Sequence, residues 1–178
     1  MKKRIPLMII ILLSFVLAPL TANADEYQKV AVTHSGDFEK IKGLVGVWEG
    51  KADMGKGMET IKATYELTSA GNAVVERLFA GQPHEMVTVY HDFNGKLSMT
   101  HYCSLGNQPH MELMNPSENS MVFVLSEKNP NLASVKETHM HALKISLDGK
   151  DSITHTWTLY ENGEKKSDVV IKLVRTKA

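Results

Sequence analysis

Four histidines and one cysteine fall where the strand pattern of this chain turns side chains toward the interior. His101 and Cys103 lie two residues apart in one predicted strand. His139 and His141 lie two apart in a later strand, and His155 follows in the next. Residues i and i+2 of a strand share a face, and imidazole and thiolate bind zinc, copper and haem iron well. We predict that the five converge on one interior metal or haem site. The alternative is that each imidazole is hydrogen-bonded to a neighbouring tyrosine, threonine or acid.

A carboxylate joins this set if a loop at 69–72 closes a hairpin. That loop pairs Tyr65 with Glu76 and places Glu76 on the apolar face. A buried carboxylate is costly unless it is paired, hydrogen-bonded or protonated. We therefore expect Glu76 either to bond to Tyr65 or an arginine, or to act as a metal ligand or general base. With His141 or His155 it would supply acid–base chemistry in a dry cavity.

The elements that must position these residues are one short helix and many short strands. The helix is predicted over 37–44, where Phe38, Ile41 and Leu44 have helical spacing and Asp37 is the candidate N-cap. After it, runs rich in β-branched and aromatic residues alternate with turn-forming residues. Ten consecutive antiparallel strands favour a closed up-and-down barrel, because closure removes exposed strand edges. The predicted strands are 45–53, 59–68, 73–80, 85–93, 96–103, 109–114, 120–127, 138–147, 152–160 and 167–175.

Turn chemistry predicts the register of one hairpin directly. Asn94-Gly95 is the strongest two-residue hairpin signal in the chain and is typical of a type I′ turn. It pairs Phe93 with Lys96, Tyr90 with Met99, Thr88 with His101 and Met86 with Cys103. One face of this hairpin is richer in sulfur and bulk, so we place it inward. That face carries His84, Met86, Tyr90, Leu97, Met99, His101 and Cys103.

A second turn, at Asp148 and Gly149, leaves two registers open. A two-residue loop mixes apolar and polar faces, whereas a three-residue loop with a bulge opposes Leu143 to His155. Register follows the hydrophobic pattern, so we favour the three-residue loop. It makes His141 and His155 diagonal neighbours across the strands, about 7 Å apart at the backbone.

The chain begins with the pattern of an export signal. Three basic residues at 2–4 precede an apolar run over 7–20, and small residues at 22 and 24 supply a cleavage site after Ala24. The apolar run is too short for a transmembrane helix. We predict a signal peptide, 1–24, and one β-barrel domain, 25–178. We expect that domain in the periplasm or secreted, with no stable membrane anchor after cleavage.

Charge and cysteine content exclude several classes of function. Removing three of the 20 basic residues and none of the 20 acidic ones leaves a formal charge of −3. No Lys/Arg run indicates a nucleic-acid partner. Cys103 is the sole cysteine, so an internal disulfide is excluded; it is a buried small side chain, a metal ligand or a redox-sensitive thiol. No Ser-His-Asp elbow, phosphate loop or dinucleotide fingerprint occurs.

Over 38–48 the chain resembles the start of a calycin barrel, in which a short helix precedes Gly-x-Trp on the first strand. Lipocalins, fatty-acid-binding proteins and nitrobindins share that arrangement. The chain is also similar to uncharacterised exported bacterial lipocalin-like proteins over nearly all of 37–175. The similar segments are 65–68, 83–91, 100–103, 106–109 and 139–141. The resemblance implies an exported barrel and no particular activity. Nitrobindins ligate haem iron through a histidine on a late strand; His155 is nearest by position, but its flanking residues do not match and the role is not carried over.

These observations predict a binding protein rather than an enzyme. Barrels of this size enclose a cavity, so we expect a carrier of a small lipophilic molecule. Two alternatives stay open, a barrel that binds copper, zinc or haem and a cavity enzyme that uses acid–base chemistry. A filled interior would instead indicate a structural or protein-binding domain. The predicted cavity residues are Glu76, Met86, Tyr90, Met99, His101, Cys103, His139, His141, His155 and Trp157.

Overall fold

Ten antiparallel strands close into a barrel in the computed structural model, which describes residues 32–53, 55, 57–129 and 131–176. The predicted fold class is confirmed. Neighbouring strands are consecutive in the chain except at the seam, where the first strand pairs with the last. The predicted signal peptide, 1–24, lies outside the described residues. The elements are α1 (Gly36–Lys42), β1 (Gly46–Asp53), β2 (Met58–Thr68), a 3-10 turn (Ser69–Gly71), β3 (Ala73–Leu78), β4 (Met86–Phe93), β5 (Lys96–Tyr102), β6 (His110–Met114), β7 (Ser120–Leu125), β8 (His139–Leu147), β9 (Ser152–Glu161) and β10 (Glu164–Arg175).

Helix α1 closes one end of the barrel. Ser35, rather than the predicted Asp37, is its N-cap, and its Oγ accepts a hydrogen bond from the Phe38 amide at 3.1 Å. The same hydroxyl donates to Asp92 Oδ1 on β4 at 2.7 Å, which ties the start of the helix to the barrel wall. Phe38 and Ile41 are fully buried in the core. Within the described ranges, no helix is long and apolar enough to cross a membrane.

Trp48 is bonded to the segment that follows helix α1. Its indole is fully buried and donates from Nε1 to the Leu44 carbonyl at 2.8 Å. The Arg175 guanidinium carbon lies 4.2 Å from the centre of the same ring. Arg175 also donates to the Val45 and Gly43 carbonyls, each at 2.7 Å. The last strand is therefore fastened both to the first strand and to the end of the helix.

The seam between β1 and β10 is tight at Gly50. A Cβ at this position would lie 1.9 Å from the Lys172 carbonyl oxygen, far inside van der Waals contact. The absence of a side chain lets the two backbones pair, with Gly50 opposite Leu173.

Two hairpin registers predicted from the sequence are confirmed. Asn94 and Gly95 have φ angles of 50° and 76°, as a type I′ turn requires. The loop after β2 also closes where expected. The confirmed pairs include Tyr90 with Met99, Thr88 with His101 and, between β2 and β3, Tyr65 with Glu76.

The register predicted for β8 and β9 is wrong. His155 lies opposite Ile145, and Leu143 lies opposite Trp157 instead. The connection occupies 148–151, which is longer than either loop that the turn residues suggested. The observed register differs from the predicted one by two residues, which is an even number. Leu143, Ile145, Trp157 and His155 therefore keep their inward face.

A β-bulge in β8 reverses the faces of the residues before it. The register shifts between Met140 and Ala142, and Met140 forms part of the interior wall. His139 instead lies opposite Tyr160, on the outer face of the sheet. His141 stacks on the same tyrosine, with ring centres 3.8 Å apart. The prediction that His139 and His141 point into the interior is therefore wrong, because the extra residue of a bulge breaks the alternation on which it rests.

Candidate functional site

The interior of the barrel is filled mainly by its own side chains. At the end opposite α1 a small space remains, and a water-sized sphere can occupy about 20 Å³ of it. That is room for roughly one water molecule. We call this space the end pocket. Its wall consists of Leu78, Phe79, Met86, His101, Met140, Trp157, Val169 and Ile171.

Two ring nitrogens of the end-pocket wall, His101 Nε2 and Trp157 Nε1, have no hydrogen-bond partner among the residues that the structure describes. The two rings lie together, with centres 4.4 Å apart. On its other side, His101 Nδ1 is 2.9 Å from the Thr88 hydroxyl. Burial lowers the pKa of His101 to about 4, so the imidazole is neutral at physiological pH. A buried polar atom without a partner costs roughly 1–3 kcal/mol. The surface of the end pocket is apolar, so the two nitrogens point away from the space.

A fully buried polar cluster lies next to the end pocket. It is a tetrad made of Tyr65, Glu76, Tyr90 and His155, and it adjoins the pocket because His155 pairs with the wall residue Ile171. The Tyr90 hydroxyl donates to Glu76 Oε2 at 2.6 Å. The Tyr65 hydroxyl and His155 Nε2 share a second hydrogen bond at 2.9 Å. The alternative of hydrogen bonding to neighbouring tyrosines thus holds for His155, which is bonded to Tyr65, and for Glu76, which accepts from Tyr90.

The two remaining polar atoms of the tetrad face each other without a bond. Glu76 Oε1 and His155 Nδ1 are 3.7 Å apart, which is too long for a hydrogen bond. Neither atom has another partner in the described part of the chain. A proton on Glu76 Oε1 or on His155 Nδ1 would therefore lie between the carboxyl group and the imidazole.

Burial dominates the titration of the tetrad. It raises the pKa of Glu76 to about 7, although the hydroxyl groups of Tyr90 and Tyr65 act in the opposite direction. It lowers the pKa of His155 to about 4. The cluster therefore favours a neutral imidazole and disfavours ionisation of the carboxyl group. All four side chains are fully buried.

His139 and His141 form a separate pair on the outer face. His139 Nδ1 is 2.7 Å from the Glu137 carbonyl oxygen, and its Nε2 is 3.2 Å from His141 Nδ1. His139 is fully buried under these neighbours, whereas His141 is only partly covered. Partial burial and the adjacent His139 lower the pKa of His141. The pair is thus held by contacts within its own strand and loop.

Cys103 lies near the rim of the end pocket. Its Sγ is 3.9 Å from Met86 Sδ, and the side chain is buried. Burial raises the pKa of the thiol, which disfavours the thiolate that ligates metals or attacks substrates. This position fits the interpretation of Cys103 as a small buried side chain.

The five predicted metal ligands therefore occupy different surroundings. His101 and Cys103 lie by the end pocket, His155 belongs to the tetrad, and His139 and His141 lie outside the barrel. Within the described ranges, no group of three or more His, Cys, Asp or Glu side chains could hold a metal ion. The structure does not bring the five side chains together, because a bulge turned one pair outward and a tyrosine engages His155.

Sequence reasoning found part of the end pocket and missed the rest. Met86, His101 and Trp157 were predicted cavity residues and line the pocket, while Tyr90 and Met99 are buried elsewhere in the core. The missed wall residues are Leu78, Phe79, Met140, Val169 and Ile171. A signal for Met140 existed. It is an apolar residue three positions before the inward Leu143, and a regular strand would place it on the outer face. An apolar residue out of phase in this way indicates a bulge.

Comparison with known proteins supports the fold. No family model and no curated protein matches the chain. A protein of unknown function from the DUF3598 family of Nostoc punctiforme PCC 73102 has a similar structure, with a TM-score of 0.53 and 14% identity over 76% of this chain. The chain spans about half of that protein, 49% of its length. Rv2717c from M. tuberculosis matches with a TM-score of 0.52 and 10% identity, over 82% of this chain and 100% of that one. At these identities the likeness shows the barrel fold alone, and membership of the exported lipocalin-like proteins stays a prediction.

Proposed function

We propose that this protein binds a small, mainly apolar ligand in the end pocket. The observation that carries the proposal is the space itself, which remains among apolar wall atoms at the end of the barrel opposite α1. Ligand sites combine apolar walls with a few polar groups that orient the ligand. The end pocket has the apolar wall of such a site.

The size of the pocket limits what it holds. About 20 Å³ is far below the roughly 300–1,000 Å³ of a drug-sized site, so a ligand must displace wall side chains. Met86 and Met140 are the wall residues suited to this, because methionine is unbranched and adapts to irregular spaces. The predicted lipophilic cargo is therefore a compound of a few carbons rather than a long-chain lipid.

Nuclear magnetic resonance can test the proposal with a hydrocarbon probe. Titration of ¹⁵N-labelled protein with methylenecyclohexane is expected to shift the indole N–H signal of Trp157. The chain has two tryptophans, and Trp48, bonded to Leu44 at the opposite end, is the internal control. No shift at the solubility limit of the probe, or equal shifts of both indoles, would refute binding in the end pocket.

A pair of adjacent valines supplies matched variants. Val169 lines the end pocket, whereas Val170 is 47% exposed on the other face of the same strand. Val169→Phe is expected to fill the space and abolish the shift of the Trp157 signal, and Val170→Phe to leave it intact. Equal effects of the two substitutions would place the probe elsewhere.

Protein binding by a barrel with a filled interior is the second candidate function. The small end pocket favours it, as does a groove of about 800 Å³ on the outside of β6 and β7. Phe93 and Met114 border the groove and are 61% and 48% exposed. Exposed apolar groups clustered at a groove are typical of interaction sites. Failure of the hydrocarbon titration would leave this candidate standing.

We propose in addition that the protein acts after export. Support comes from the basic residues at 2–4, the apolar run over 7–20 and the cleavage site after Ala24. The expected mature N-terminus is Asp25. Mass spectrometry of the protein from the periplasmic fraction and the medium tests this, and an intact N-terminus in the cytoplasm would contradict it.

A further inference from the structure

We propose that the Phe79 ring occupies part of the ligand site, so that a ligand enters the end pocket only when this ring leaves the wall. The inference rests on the proposed function and describes how binding at that site is controlled. Phe79 begins the connection between β3 and β4, residues 79–85, which we call the lid. On this reading the lid carries a built-in competitor of the ligand.

The size of the end pocket requires that a wall side chain move. The free space is room for roughly one water molecule, and a hydrocarbon ring is larger. Among the eight wall residues, Phe79 is the one that lies outside the strands. Its ring is buried, so it fills volume that a ligand of similar shape can take. Displacement of Phe79 therefore opens the site while the strands of the wall stay in place.

The backbone of Phe79 favours release of the ring. Its φ angle is 59°, in the left-handed region, where a bulky side chain is strained. Such strain persists only where the surrounding structure holds the residue in place. Opening costs the hydrogen bond from the Ala80 amide to the Lys62 carbonyl, 3.0 Å long, which joins the lid to β2. Relief of the strain at Phe79 offsets part of this loss and of the lost packing.

Contacts outside the pocket also hold the lid shut. The Gly81 amide donates to Glu85 Oε2 at 2.7 Å, and Arg77 donates to Glu85 Oε1 at 3.1 Å. The exposed His84 covers the Phe79 ring, with ring centres 4.6 Å apart. Glu85 is not part of the pocket wall. Its substitution therefore loosens the lid without changing the site.

The exposure of the Phe79 ring tests the proposal in the unaltered protein. A water-soluble gadolinium chelate broadens the nuclear magnetic resonance signals of exposed protons. Phe79 is 1% exposed in the structure, and we expect its ring protons to be protected without ligand and broadened when methylenecyclohexane saturates the protein. Phe38, fully buried at the helix end, should stay protected, and Phe93, 61% exposed, should be broadened throughout. Protection of Phe79 in the saturated complex would overturn the proposal.

Three variants test the competition by affinity, read from the Trp157 indole signal. Phe79→Ala is expected to bind methylenecyclohexane about tenfold more tightly than the wild type, because no buried ring has to be displaced. Phe79→Gly should bind as tightly and unfold at a higher urea concentration than Phe79→Ala, since glycine accepts a positive φ without strain. Glu85→Ala should tighten binding up to about fivefold, the value of one net hydrogen bond. Glu49→Ala, at an exposed acid on β1, is the control and should change nothing.

The outcomes separate this inference from the proposed function. Binding to the wild type with an unchanged or lower affinity in both Phe79 variants would overturn the role of Phe79 and leave the end pocket as a ligand site. Binding to the Phe79 variants alone would support the ring as the competitor and contradict ligand binding by the wild type. No shift of the Trp157 signal in any of these proteins would overturn the proposed function and the inference with it.

Discussion

Glutamine in place of Glu76 keeps the size of the buried acid and an acceptor for Tyr90 but removes its ability to ionise. Because the folded pKa is about 7 and the ordinary value is 4.5, the folded state binds this proton more tightly than the unfolded chain does. The carboxyl group therefore stabilises the fold fully below pH 4.5, and that contribution is lost as the pH rises through 7. At about 1.4 kcal/mol for each unit of difference between the two pKa values, the whole loss is about 3.5 kcal/mol.

Urea unfolding of the wild type and Glu76→Gln at pH 5 and pH 8.5 measures this loss. We expect the variant to gain about 2.5 kcal/mol relative to the wild type between the two conditions, since pH 5 lies slightly above the ordinary pKa of 4.5. Burial lowers the pKa of His101 and His155 to about 4, which destabilises both proteins below pH 6.5 and largely cancels in the comparison. Glu66→Gln, an exposed carboxyl on the neighbouring strand β2, is the control. A difference between wild type and Glu76→Gln that does not change with pH would refute the burial argument.

Three further predictions concern the stability of the closed barrel, each measured by urea unfolding. Gly50→Ala places a Cβ 1.9 Å from the Lys172 carbonyl oxygen and is expected to lower the free energy of unfolding by at least about 2 kcal/mol. The control Gly36→Ala, at a position with open space around it, should lower it by less than about 1 kcal/mol. Equal losses of stability would contradict the seam geometry. Arg175→Ala should lower the free energy of unfolding by about 2 kcal/mol, because it removes two hydrogen bonds and the contact with the Trp48 ring. Lys172→Ala on the same strand is the control and should have little effect. Ser35→Ala should cost about 1 kcal/mol as a lost helix cap, and an unchanged midpoint would argue against that role.

Local turn chemistry explains why much of the fold could be predicted from the sequence. Asn94 and Gly95 accept positive φ angles with little strain, so their position determined which residues of β4 and β5 face each other. The loop at 69–72 did the same for Tyr65 and Glu76. Where a short turn specifies a register, alternation then assigns every inward side chain of the hairpin.

The errors in β8 and β9 arose because no short turn specifies the register of this hairpin. The four-residue connection after Leu147 contains Gly149, which permits several turn types, so neither loop length nor register was determined locally. The bulge at Met140 added a second ambiguity, and the inward prediction for His139 and His141 failed with it. Periodicity alone cannot locate an inserted residue unless apolar spacing reveals it.

Contacts across the barrel were beyond sequence reasoning for a different reason. Tyr65 and His155 are 90 positions apart, on β2 and β9, and meet through their side-chain tips. Glu76 meets Tyr90 on an adjacent strand, yet its distance to His155 also depends on the diameter of the closed barrel. Such distances follow from strand number and tilt together, which no local pattern encodes.

The seam between β1 and β10 has a consequence for the order of folding. Every other strand pair joins consecutive strands and can zip from a nearby turn, a local event of microseconds. Closing the seam brings Arg175 to Val45, which are 130 positions apart, so it carries the largest loop-closure entropy and is the late step. Until it forms, β1 and β10 both present unpaired backbone edges that can join other chains. The Arg175 contacts thus fasten the two strands whose separation would expose the nascent sheet to aggregation.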